Sequence, residues 1–185
     1  MVSLVALSVP ILAAAVLVFI ASAIVNTVLP WHKGDYPGIA REDEFRTAVR
    51  PLGLPPGDYM VPRAGSMKEY GTEEFRAKLR EGPNMMLTVM PNEAAGMGRP
   101  LVLWFIYLLV IAQFGAYIAS RTLPAGTDYM QVFRVVGATT FVGLAGGLWQ
   151  MSIWYRRSWA TTVKATIDAL AYALLMAGVF GWMWP

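Results

Sequence analysis

Between Arg99 and Arg121 the chain reads RPLVLWFIYLLVIAQFGAYIASR, twenty-one residues without a charge and an arginine at each end. Coiled as an α-helix, the uncharged run is about 31 Å long at ~1.5 Å per residue, the thickness of a bilayer's hydrocarbon core. In lipid every backbone N–H and C=O must be satisfied within the protein, and a helix satisfies them within one segment. The stretch therefore reads as a membrane span.

Three further stretches have the same character. The first runs from Leu4 to Leu29 without a charge. Ala21-Ser22-Ala23 mimics a signal-peptide cleavage site, but the amino end is not basic and the apolar run is about twice the ~7–15 residues of a signal core. It reads as an uncleaved helix, with Pro10 as a gentle kink. A third span covers about Gln131–Tyr155 and a fourth about Thr166–Trp184. The links Arg121–Met130 and Arg156–Ala165 are short, which predicts that spans two, three and four stack as antiparallel neighbours. Trp31, Trp149, Trp154, Tyr155, Trp159, Trp182 and Trp184 sit at the span ends, where amphipathic rings anchor at headgroup level. The balance of Lys and Arg places residues 31–98 and the third link on the cytoplasmic side, with both termini outside.

Composition narrows the chemistry. The 185 residues are 56% hydrophobic and only 15% charged, against roughly 25% charged in a soluble domain. The formal net charge is +3 and no run of five like charges occurs, so nucleic acid is not an expected partner. With no cysteine and one histidine, disulfides, thiolate nucleophiles, Cys-ligated metals and multi-His metal sites are excluded within one chain. No cofactor, metal site or catalytic constellation is expected.

The charges concentrate between the first two spans. Residues 31–98 hold nine Lys and Arg against ten Asp and Glu, a nearly neutral, water-facing insert. Arg41–Arg50 carries Phe45, Ala48 and Val49 at helical spacing, with Glu42-Asp43-Glu44 as its acidic first turn and Pro51 as its stop. Asp58–Pro62 and Asn84–Met90 read as two short strands. Thr72 is placed to cap a helix that opens with Glu73-Glu74 and ends before Gly82-Pro83. A small α+β unit results. It buries little apolar surface alone and is expected to lie against the membrane surface or a partner.

Small residues recur every fourth position on the spans: Thr139, Gly143 and Gly147 on the third, and Ala165, Ala169, Ala173, Ala177 and Gly181 on the fourth. Ala112, Ala116 and Ser120 form a similar stripe on the second, and Ser8, Ala15 and Ser22 recur every seventh residue on the first. Such stripes let helices approach closely in lipid. Among polar residues, Asp168 lies inside the fourth span, where ionisable groups are costly. Lys164 is four residues earlier and offers an ion pair on the same face. Arg134 reads as a snorkelled side chain. Gln113, Gln150 and Asn26 read as interhelical hydrogen-bonding groups or, alternatively, as cavity lining. His32, after Trp31, is the one imidazole near the surface.

Leu29-Pro30, Gly57-Asp58-Tyr59-Met60-Val61-Pro62 and Glu81-Gly82-Pro83 before the strand ending at Pro91 resemble an uncharacterised group of small multi-pass bacterial membrane proteins. The resemblance implies the cytoplasmic (inner) membrane and carries no catalytic residues.

These observations predict an all-α membrane protein with four transmembrane helices and a small α+β extramembrane insert between helices 1 and 2. Its parts are a first helix (residues 1–30), the insert (31–98) and a three-helix stack (99–185). The expected role is a non-enzymatic accessory or assembly subunit of a larger membrane complex. The alternative is a small transporter or channel subunit whose path, lined by Asp168, Gln150 and Gln113, forms by oligomerisation. The expected partners are the lipid bilayer and a larger membrane protein or further copies of the chain.

Overall fold

The computed structural model describes residues 2–92 and 96–185. In chain order its elements are α1 (Ser8–Thr27), α2 (Glu42–Val49), β1 (Gly57–Val61), α3 (Met67–Tyr70), α4 (Glu73–Glu81), β2 (Met85–Val89), α5 (Gly98–Thr122), α6 (Tyr129–Ala145), α7 (Leu148–Ile153) and α8 (Trp159–Trp182). They fall into two compact units, Met1–Pro37 with Gly96–Pro185, and Gly38–Ala95.

The first unit is a four-helix ring. Four helical segments are long and apolar enough to cross a membrane: Ser8–Thr27, Gly98–Thr122, Tyr129–Ile153 and Trp159–Trp182. Spans two, three and four pack in sequence as the short links predict, and α1 closes the ring against α5 and α8. The chain directions alternate. Ser22, late in α1, accepts a 2.9 Å hydrogen bond from Trp104, early in α5, and Tyr107 donates to the Gly143 carbonyl at 3.0 Å, late in α6.

Small side chains fill the seams. Ala14, Ala15, Ala112, Ala116, Ala119, Ala169, Ala173 and Ala177 are buried, while Leu12, Ile20, Val102, Ile106, Phe114, Leu170 and Leu174 are exposed. A bundle built for water carries its large apolar side chains inward and its polar ones outward. This one has the opposite arrangement, which suits a lipid surround and close backbone contact. A Cβ on Gly115 would meet Thr140 Cγ2 at 3.0 Å, and one on Gly137 would meet Ala177 Cβ at 3.3 Å. Asp128 caps α6 by accepting from the Met130 and Gln131 N–H groups at 3.0 and 3.2 Å.

Several details differ from the pattern read in the sequence. Pro10 lies in the first turn of α1, where its missing N–H has no intrahelical partner to lose, so it works as a helix starter and not as a kink. The third span is broken. Residues 146–147 separate α6 from α7, and a Cβ on Gly146 would come within 2.6 Å of the Val142 carbonyl oxygen. The small-residue stripe of that span is also offset: its buried face is Val132, Val136, Thr140 and Leu144. Gly143 does pack, with a hypothetical Cβ 2.9 Å from Ile111 Cδ1, but Gly147 has nothing within 4 Å. It belongs to the break and is not a packing residue. On the first span Ser8 is exposed, whereas Ala15 and Ser22 are buried. The fourth span begins at Trp159, seven residues before Thr166; Lys164 hides the helix start from a reading based on apolar runs.

The second unit has the predicted order of elements. β1 and β2 pair antiparallel, Gly57 opposite Val89 through Val61 opposite Met85. Glu42, Asp43 and Glu44 occupy the first turn of α2, and Thr72 Oγ1 accepts from the Phe75 N–H at 3.3 Å to cap α4. The added element is α3, capped by Ser66. Phe75 is 2% exposed and meets the Tyr70 ring edge-on at 5.0 Å. Lys78 pairs with Glu74 at 2.9 Å, and Arg41–Glu44 and Arg80–Glu73 are further surface pairs. Trp31–Pro37 belongs to the helical unit, so the separate insert is residues 38–95 and not 31–98.

Candidate functional site

After α1, Leu29 is extended and Pro30 starts a single 3₁₀ turn through His32. Proline suits this position because its fixed φ opens the turn and its absent N–H is not needed. Asp35 N–H then bonds the His32 carbonyl at 3.1 Å. These turns fold Trp31, His32 and Asp35 back onto α8, where Lys164 and Asp168 stand one helical turn apart.

A closed polar cluster forms there. His32 Nδ1 lies 2.7 Å from Asp35 Oδ2, and His32 Nε2 lies 2.9 Å from Asp168 Oδ2. Trp31 Nε1 donates to Asp168 Oδ1 at 3.1 Å. Lys164 Nζ donates to Asp35 Oδ1 at 2.7 Å and to the Trp31 carbonyl at 2.8 Å, and its ammonium sits 5.5 Å from the Trp31 ring centroid. All four carboxylate oxygens thus face a group able to donate. An imidazole with hydrogens on both nitrogens donates to both carboxylates at once. Side-chain exposure is only 6% at Asp35 and 14% at Asp168, and charges so shielded from water require partners of this kind. The hydrogen bond from Lys164, then that from His32, holds the Asp35 carboxyl below its ordinary value of 3.8.

The ion pair expected between Lys164 and Asp168 is not the one made. Lys164 turns to Asp35, and Asp168 is taken by His32 and Trp31. The 30–35 turn brings better-placed partners to both. Trp31 is likewise more than a headgroup anchor, because its indole N–H and its carbonyl both join the cluster.

The cluster borders a partly open cavity of about 500 Å³ within the helical unit. Its polar end carries Asp168, His32, Asp35, Tyr36 and Arg157, and its body is walled by Trp104, Tyr107, Leu144, Leu148, Ala169 and Tyr172. Arg157 donates to the Tyr36 hydroxyl at 3.3 Å and forms no ion pair among the described residues. A cavity of this size, mostly apolar with a few convergent polar groups, has the dimensions of a small-molecule site (~300–1,000 Å³).

Of the residues singled out in the sequence, the structure brings His32 and Asp168 together. Gln113, Gln150 and Arg134 are exposed and none lines the cavity. Asn26 does line it, and bonds the Ser22 carbonyl at 2.8 Å. Ala169, Ala173 and Ala177 pack as expected. Trp31, Asp35, Tyr36, Arg157, Trp104, Tyr107 and Tyr172 are additions. The signal for the first three is the run Trp31-His32-Lys33-Gly34-Asp35-Tyr36, dense in hydrogen-bonding and aromatic side chains for a simple connection. Among the described residues no group of three or more His, Asp or Glu is arranged to hold a metal ion.

No known protein family, curated protein or solved structure matches the chain.

Proposed function

We propose that the chain is a multi-pass protein of the bacterial cytoplasmic membrane, acting without catalysis as an accessory or assembly subunit of a larger membrane complex. The membrane reading is supported by the four apolar helices and by the large side chains on the outside of their ring. The bacterial inner membrane follows from the resemblance of the Leu29-Pro30 and Gly57–Pro62 motifs.

The observation that carries the accessory role is the surface of the 38–95 unit. Met60, Met67, Tyr70, Met86 and Met90 are all exposed there, on a unit otherwise dominated by paired charges. Unbranched, polarizable Met side chains adapt to a partner surface, and exposed apolar groups in number mark contact sites. The alanine stripe of α8 supports a different task, since Ala169, Ala173 and Ala177 are spent inside the chain's own bundle.

Purification in mild detergent followed by mass analysis tests the role. A larger membrane protein at fixed stoichiometry is the expected result, lost when Met60 and Met86 are both replaced by Glu. Recovery of the chain alone from native membranes under conditions that preserve known complexes contradicts it. The transport alternative draws less support: Asp168 lies in the intrachain cavity, whereas Gln113 and Gln150 are on the outer face.

A further inference from the structure

We infer that the cavity beside the His32–Asp168 cluster is a binding site for an anionic amphiphile, a phosphate or carboxylate head joined to an apolar tail. The site lies within one unit of one chain, so the inference does not depend on the partner proposed above.

Three observations combine. The cavity of about 500 Å³ has an aromatic and aliphatic body, with Trp104, Leu144, Leu148 and Tyr172 on its walls. An apolar tail buried there leaves water at little polar cost. At the polar end stands Arg157, whose guanidinium contacts the Tyr36 hydroxyl and no carboxylate among the described residues. A planar guanidinium has five N–H donors in a fork that matches phosphate and carboxylate oxygens. Finally, the two carboxylates on the wall do not oppose an anion as free charges. Asp35 is held by Lys164 and His32, and Asp168 by Trp31 and His32. A cationic ligand would have to displace these donors, whereas an anionic one finds the arginine open.

The experiment uses the full chain in neutral detergent, with bound species counted by native mass spectrometry. The probes are decyl phosphate and, as its uncharged analogue, decanol. The expected result is one decyl phosphate per chain, with affinity falling roughly 10- to 100-fold in Arg157→Gln, the loss of a charge-assisted fork. Decanol binding is unchanged by that substitution, and Arg157→Lys, which keeps the charge but not the fork, gives an intermediate affinity. Arg134→Gln, which removes an exposed cation away from the cavity, retains wild-type affinity. A thermal melt confirms that Arg157→Gln is folded; if it is not, Arg157→Lys decides. Retention of an anionic phospholipid through purification by the wild type but not by Arg157→Gln assigns the bilayer as the source. Binding of added decyl phosphate with no retained lipid assigns a soluble amphiphile. Equal affinity of wild type and Arg157→Gln for decyl phosphate overturns the inference, as does equal binding of decanol and decyl phosphate.

Discussion

His32 ties two parts of the chain through one ring. Its Nδ1 faces a carboxylate three residues along, and its Nε2 faces one on α8, 136 residues away. Replacing it with Phe keeps the ring shape but leaves Asp35 Oδ2 and Asp168 Oδ2 without a partner. An unmet buried polar group costs about 1–3 kcal/mol, more for a charged one, so His32→Phe is expected to lower the thermal midpoint in detergent clearly. Asp35 adds a pH dependence of known sign. Its carboxyl is held below the ordinary 3.8 by Lys164 first and His32 second. A depressed folded value means the stabilisation is complete above the unfolded value and is lost as the pH falls through the folded one. Melting midpoints of wild type and Asp35→Asn should therefore differ by a constant amount between pH 5 and 7, by the pattern of linked titration, and converge well below pH 4. A gap that persists undiminished into strong acid would contradict the pairing. At this scale the sequence shows that His32 and Asp168 are unusual, because one imidazole and one intramembrane carboxylate stand out by type. It does not show who meets whom. The i,i+4 rule offers Lys164 to Asp168, and only the turn at Pro30–His32 supplies the closer partners.

Elements are more legible than contacts. Thr72, Pro51 and the acidic run Glu42–Glu44 mark helix ends by local chemistry, and the structure has helices ending there. Ser66 is the same kind of cap, but α3 is a single turn, too short to leave a periodic pattern. The break between α6 and α7 is concealed for the opposite reason. Gly143-x-x-x-Gly147 lies in an unbroken apolar run, and glycines that pack look like glycines that interrupt. Asp128 is a cap in which two N–H groups share one carboxylate oxygen. Asp128→Ala is expected to cost about 1 kcal/mol, read as a lower unfolding midpoint. Gly115 tests the α5–α6 seam. With Thr140 Cγ2 only 3.0 Å and Val136 Cγ1 3.3 Å from a hypothetical Cβ, Gly115→Leu should overpack the interface by about 1–3 kcal/mol. A Gly115→Leu protein as stable as wild type would mean that the seam is loose.

For the whole molecule, the four spans follow from runs of uncharged residues of bilayer length, a signal that needs no tertiary information. Their ring order follows in part from the short links. The place of α1 does not, since nothing in its apolar stretch distinguishes one neighbour from another; it is set by contacts such as Ser22 with Trp104 and Phe19 with Phe105. The cavity is the least legible feature. Its lining comes from residues scattered between Asn26 and Tyr172, whose convergence depends on the ring being closed. The most direct test of the four crossings exploits the absence of cysteine from the chain. Single cysteines are placed at Arg63 in the insert, Ala125 in the α5–α6 link and Tyr155 in the α7–α8 link, then labelled in sealed vesicles with a membrane-impermeant maleimide. Four crossings predict that positions 63 and 155 react from one face and position 125 from the other; reaction of all three from the same face would contradict the account.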